Sequence, residues 1–254
     1  MSFNFGNVCT QLLNSFEYGL IGFFLTLLAH ISARYLVGPS IFPRVKTESP
    51  AIFKKLFGFR QVVHTPSYNA LVASLMGGYF ASLFSTLFPT LPVEQACAIT
   101  LFSFTIAVTI ITDFYTYLIS TLVTLYLIPA VFFYAHMGYL KVSLSESLIS
   151  AVIVGVVMTL INFLYEKKRG TAAFGEGDRD LLMYIAAFLG WFSTLNVIFY
   201  GSLIGSAWGI IALIRKQTTS FSSYILPFGT CLGFGVFIRL IILYGNSPLT
   251  RLIP

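Results

Sequence analysis

Two aspartates stand where hydrocarbon should tolerate none. Asp113 closes an apolar run in Ile110-Ile111-Thr112-Asp113-Phe114-Tyr115. Asp178 follows Phe174-Gly175-Glu176-Gly177, just before a second apolar run, Leu181-Leu182-Met183-Tyr184-Ile185. Ionisable side chains at the edge of a bilayer are costly and mark functional sites. Two carboxyls able to meet at a membrane face suggest a water-activating pair, because only one of them ionises easily. Gly175 and Gly177 let the backbone turn and approach a bound chain without side-chain obstruction. Asp178 falls at or near a helix N-terminus, where the dipole and free N–H groups favour a carboxylate. Capping that helix is its competing role.

The elements that must position these acids are membrane helices. The chain has 254 residues, of which 57% are hydrophobic and only 9% charged, which excludes an ordinary soluble domain. A bilayer-spanning helix needs about 20 apolar residues. The short alternating segments of a barrel are absent. The expectation is an all-α membrane protein, a polytopic bundle of about eight transmembrane helices. They fall near 16–37, 67–88, 94–112, 115–135, 146–165, 181–197, 198–214 and 223–244, with a weak turn at 193–196 separating the sixth from the seventh. The first run reads as a signal-anchor helix, with no basic residue before it. The parts are an N-terminal membrane region at 1–93 with a cytoplasmic loop at 38–66, a core at 94–245 and a short tail at 246–254. Residues 52–57 repeat apolar pairs at a helical spacing and suit a short helix on the membrane surface.

The net charge of +6 does not point to nucleic acid, because the cations sit in loops. Arg44, Lys46, Lys54, Lys55 and Arg60 follow the first span. Lys167, Lys168, Arg169 and Arg179 follow the fifth, and Arg215 and Lys216 the seventh. Basic loops stay in the cytoplasm, so the N-terminus lies outside and both aspartates reach the cytoplasmic boundary. Cys9, Cys97 and Cys231 are too scattered for a zinc knuckle or a disulfide framework. Cys97 and Cys231 read as packing residues. His30, His64 and His136 are equally scattered, and no metal site is expected. Gly201, Gly205 and Gly209, with Gly229 and Gly233, read as close helix packing.

Glu166-Lys-Lys-Arg-Gly170-x3-Phe174-Gly-Glu-Gly-Asp178-x2-Leu181, continued by Phe188-Leu189-Gly190-Trp191, resembles the second catalytic motif of type IV prepilin peptidases. These are membrane aspartyl proteases of the Gly-x-Gly-Asp class. Asp113-x2-Thr116-x-Leu118-Ile119-x4-Thr124 is similar to their first catalytic motif, and Leu226-Pro227-Phe228-Gly229 resembles the segment opening their last span. The resemblance covers roughly residues 94–245. It implies an endopeptidase of the bacterial inner membrane, with Asp113 and Asp178 catalytic. Gly175 and Gly177 would shape the loop, Pro227 would help position substrate, and Glu48, Glu176 and Asp180 are acidic candidates to meet a basic leader. The implied partner is a prepilin or pseudopilin with a short basic leader ending in glycine, and proteolysis would need no cofactor.

Three departures bear on that expectation. Ser120-Thr121 replaces a Pro-Asp pair, and Asp180 stands where the family has lysine. Residues 38–66 hold no cysteine, unlike bifunctional members that also N-methylate their product. S-adenosylmethionine is therefore a cofactor only if methylation is retained. Two rival readings use the same residues. One is a transporter or proton relay built on boundary carboxylates, although internal repeats are not evident. The other is a catalytically degenerate assembly factor, for which Ser120, Thr121 and Asp180 speak.

Overall fold

The computed structural model describes Leu28 and residues 91–121, 123–170, 173–214 and 226–244. The expected spans at 16–37, Leu28 apart, and 67–88, the loop at 38–66 with its surface helix, and the tail at 246–254 lie outside the described residues.

The described chain is helical and has no strand. In order, the helices are α1 (Val93–Thr116), α2 (Ile128–His136), α3 (Leu144–Arg169), α4 (Glu176–Leu189), α5 (Trp191–Ile214) and α6 (Phe228–Tyr244). Among the described residues three helices are long and apolar enough to cross a membrane, over Val93–Phe114, Leu144–Arg169 and Trp191–Ile211. The chain is therefore a membrane protein. Burial assigns each helix a place. The first span is 72% buried, whereas those on α3 and α5 are only 28% buried. Thus α1 is a central helix, while α3 and α5 turn apolar faces outward, with Val152, Val156, Phe163, Phe199 and Leu203 exposed. In a bilayer such faces meet lipid.

α1 carries hydroxyls through apolar surroundings by returning them to its own backbone. Thr105 donates to the Leu101 carbonyl, Thr109 to Thr105 and Thr112 to Thr109, each at 3.0 Å. These three hydroxyls keep a partner without a neighbouring helix, whereas the buried Ser103 hydroxyl has none among the described residues. α3 is bounded by strong signals. The Ser143 side chain accepts the Glu146 N–H at 3.3 Å, and Gly170 ends the helix in the left-handed region at φ 73°. Lys167, Lys168 and Arg169 in its last turn oppose the negative end of the dipole.

Two expected boundaries are corrected. The span at 115–135 is not one helix. α1 runs on to Thr116, and Tyr117 leaves it in the left-handed region at φ 55°. A non-helical stretch follows, then a 3-10 turn at Leu125–Leu127 and the nine residues of α2, with a proline in its first turn. At 1.5 Å per residue, α2 reaches about 13 Å, too short to span. The break between the sixth and seventh expected spans lies at Gly190, not at 193–196. Gly190 adopts φ 83°, outside the range of most L-residues, and stops α4. Serines of α3 satisfy the groups this break loosens. Ser147 donates to the Ala187 carbonyl at 2.6 Å, and the Trp191 N–H donates to Ser150 Oγ at 3.0 Å.

α4 is enclosed beyond its first turn. Every residue from Leu181 to Leu189 is buried except Met183, which meets α3 at Gly155. α6 relies on small residues for its approach to α1 and α5. A Cβ on Gly235 would lie 2.6 Å from the Val197 carbonyl and 3.0 Å from the Gly201 nitrogen. A Cβ on Gly201 would lie 3.2 Å from the Cys231 carbonyl, and one on Gly233 would overlap Ile110. The glycines expected to serve close packing at 201 and 233 do so, and Gly235 adds a third. Cys231 is buried there, whereas Cys97 is exposed, contrary to the packing role expected for it. Gly235→Ala is expected to force α5 and α6 apart and destabilise the protein by about 1–3 kcal/mol, seen as a lower melting temperature in detergent.

Candidate functional site

α1 ends and α6 begins at the same place, and Asp113 lies between them. Asp113 is 5% exposed. Thr230, in the first turn of α6, holds its carboxylate twice. The Thr230 N–H donates to Asp113 Oδ2 at 2.6 Å, and the Thr230 hydroxyl lies 3.0 Å from the same oxygen. That hydroxyl is also 3.2 Å from the Ile110 carbonyl, so one proton serves two acceptors. First-turn N–H groups have no partner inside their own helix, and the dipole there favours an anion. Pro227, buried just before α6, has no N–H to leave unpaired at the helix start.

Asp178 is held by its own helix. It is the third residue of α4, and its Oδ2 accepts the Gly175 N–H at 3.2 Å. This is the back-reaching half of a capping box, with Gly175 as the cap. Asp178 is half-buried. Burial, then the charge of Asp113, push its carboxyl up to about 6, against the opposing hydrogen bond from Gly175. The two acids, far apart in sequence, therefore feel one another.

The loop before α4 is tied down on two sides. Asn162 of α3 donates its amide to the Phe174 carbonyl at 3.0 Å and accepts the Phe174 N–H at 2.9 Å. The Phe174 ring lies 5.8 Å from that of Phe228 at the start of α6. Between the N-termini of α4 and α6 sits Ile119. A Cβ on Gly177 would lie 2.8 Å from Ile119 Cβ. One on Gly229 would lie 2.6 Å from Ile119 Cδ1 and 3.1 Å from Asp113 Cγ. Glycine at 177 and 229 is thus a requirement of space.

The remaining candidates are placed differently. Gly175 and Glu176 are exposed at the head of α4. Asp180 is 4% exposed and engaged by Arg179, whose Nε and Nη2 lie 3.2 and 3.1 Å from its Oδ1. Asp180 is therefore neutralised in place and poorly disposed to meet a leader. Glu48 lies outside the described residues. Two residues of the site escaped the sequence reading, Thr230 and Asn162, and Ile119 entered it only as part of the first motif, with no role of its own. Asn162 left a signal, a lone amide inside the apolar run of α3. Thr230 left only its place after Pro227-Phe228-Gly229.

Thr230→Val keeps the backbone donor to Asp113 and removes the hydroxyl. A roughly tenfold loss of turnover is expected, with recovery in Thr230→Ser, since a hydrogen bond to a charged group is worth about 1.5–3 kcal/mol.

The fold and site define a class: a helical membrane protein with two carboxyls at one end of its bundle, one gripped by a helix N-terminus. Residues 97–210 match the model of the type IV leader peptidase family, a stretch that includes both Asp113 and Asp178 and ends before α6. Over this stretch, a little under half of the chain, the protein is similar to a family of leader peptidases. No curated protein and no solved structure matches the chain.

Proposed function

We propose that the chain is a membrane-embedded aspartyl endopeptidase. It removes the short basic leader of type IV prepilins or pseudopilins at the cytoplasmic face of the bacterial inner membrane. The observation that carries this reading is that Ile119 packs at once against Gly177, next to Asp178, and Gly229, next to the Asp113 carboxyl, which brings the two acid-bearing segments to one place. Two acids that resist simultaneous ionisation can hold one proton between them.

That proton state suits amide hydrolysis. The ionised carboxylate takes a proton from water, and the resulting hydroxide adds to the scissile carbonyl. The protonated carboxyl meanwhile donates a hydrogen bond to the carbonyl oxygen. When the tetrahedral adduct collapses, a carboxyl gives its proton to the leaving amine. The roles belong to the pair, which titrates as a unit. Proteolysis in this scheme draws on no cofactor, and S-adenosylmethionine enters only if the product is also N-methylated. Glu176, exposed at the head of α4, is the acidic group assigned to the basic leader in this reading. An N-terminus outside, with residues 117–143 returning across the membrane as a broken segment instead of one helix, and contact with inner-membrane lipid belong to this proposal. They rest on the basic loops.

The test is direct. Purified protein in liposomes is mixed with a leader-bearing prepilin, and the product is sized and sequenced from its new N-terminus. A single cut at the end of the leader is expected. An intact prepilin, together with uptake of solute or protons into the liposomes, would favour a transporter instead.

A further inference from the structure

The side chain of Ile119 occupies the space that the two catalytic segments leave between them. Tyr117 takes a left-handed conformation that places most residues under strain. Its N–H still donates to the Asp113 carbonyl at 2.7 Å, so the turn is tied to the residue that carries the first acid. Two residues on, Ile119 lies with its Cβ against Gly177 and its Cδ1 against Gly229. Gly177 adjoins Asp178, and Gly229 adjoins both Thr230 and the Asp113 carboxyl. Ile119 is half-buried. Both glycines already give up the volume of a methyl group to it.

A peptide that brings its scissile carbonyl to Asp113 and Asp178 must pass this residue. The carbonyl belongs to the amino acid before the cut, and that amino acid's side chain would compete with Ile119 for the same volume. We propose that Ile119 is the specificity-determining residue that restricts this position to an amino acid without a side chain. The assignment rests on the endopeptidase reading. It gives Ile119 no part in the chemistry, only in which peptides reach it. One or two methyl groups in an apolar pocket discriminate by roughly 10–200-fold, which sets the scale of the effect.

The experiment compares kcat/KM for leader peptides that differ only before the cut, carrying Gly, Ala or Val. They are tested against the wild type, Ile119→Val and Ile119→Ala. The wild type is expected to prefer Gly. Ile119→Ala should raise Ala relative to Gly by about tenfold or more and bring Val into range. Ile119→Val, which removes only the Cδ1 methyl beside Gly229, should give a smaller shift in the same direction and covers the case in which the alanine variant fails to fold. Cleavage by the variants with an unchanged Gly-to-Ala ratio would overturn the role of Ile119 and leave the peptidase reading intact. A wild type that cuts none of the peptides would overturn both.

Discussion

Asp178→Asn is expected to abolish leader cleavage, by at least about 10³-fold, while making the folded protein more stable. The activity loss follows from chemistry, because an amide can neither take nor return the shared proton. The same loss is expected for Asp113→Asn. The stability gain follows from the folded state. The Asp178 carboxyl is pushed from 3.8 up to about 6 by burial and by Asp113. An acid with a raised folded value favours folding when protonated. Its contribution is fully present below the unfolded value and is lost as pH rises through the folded one. At neutral pH the wild type therefore carries an unfavourable charge that the Asp178→Asn variant lacks. The oxygen of the introduced amide can still accept the Gly175 N–H. The melting-temperature difference between variant and wild type should be near zero at about pH 4, open between about 4 and 6, and stay level above. Melting curves across that range, beside the cleavage assay, check both halves. An inactive variant that is also less stable at neutral pH would point to a structural role for Asp178.

The sequence made the main apolar helices and both acids legible because each signal is local. A run of apolar residues needs no partner to be recognised, and α1 and α3 lie close to where hydropathy and the basic clusters put them. Where the reading failed, the deciding contact was distant. Hydropathy carries residues 115–135 as one span, yet Tyr117 and the proline at the head of α2 break it, and the polar groups released are met locally by Ser120, Thr121 and Thr124. The break at Gly190 depends on two serines of α3, some 40 positions upstream, to satisfy its loose backbone groups. A turn near 193–196 has the more turn-like composition but no such support. Thr230 is the sharpest case. A threonine one residue after a glycine is unremarkable in sequence, and only the fold brings it to a carboxylate 117 positions away. Asp180 shows the opposite effect. Sequence leaves open whether its charge acts on the acids or is met by the adjoining Arg179, and the ion pair with Arg179 decides it.

Gly229→Val should cost leader cleavage about 100-fold or more while the protein still inserts and folds. Gly229 lies in the first turn of α6, away from the tight α5–α6 contact at Gly235, so added bulk there disturbs the site before the bundle. Two neighbours resist it. A Cβ would lie 2.6 Å from Ile119 Cδ1, the end of a side chain that can rotate, and 3.1 and 3.2 Å from Asp113 Cγ and Oδ2. The second contact is the stiffer one. Thr230 grips that same carboxylate from the next residue along, so the carboxylate cannot retreat without giving up a 2.6 Å hydrogen bond. A displacement of even 1 Å from a reactive geometry is worth about 100-fold in rate. Alanine should fall between glycine and valine, and combining it with Ile119→Ala separates the two clashes. If Ile119 were the whole obstacle, the double variant would regain full turnover on a glycine-bearing peptide. With Asp113 as the stiffer neighbour, recovery is partial, and the remaining deficit in kcat measures how far the acid has been moved.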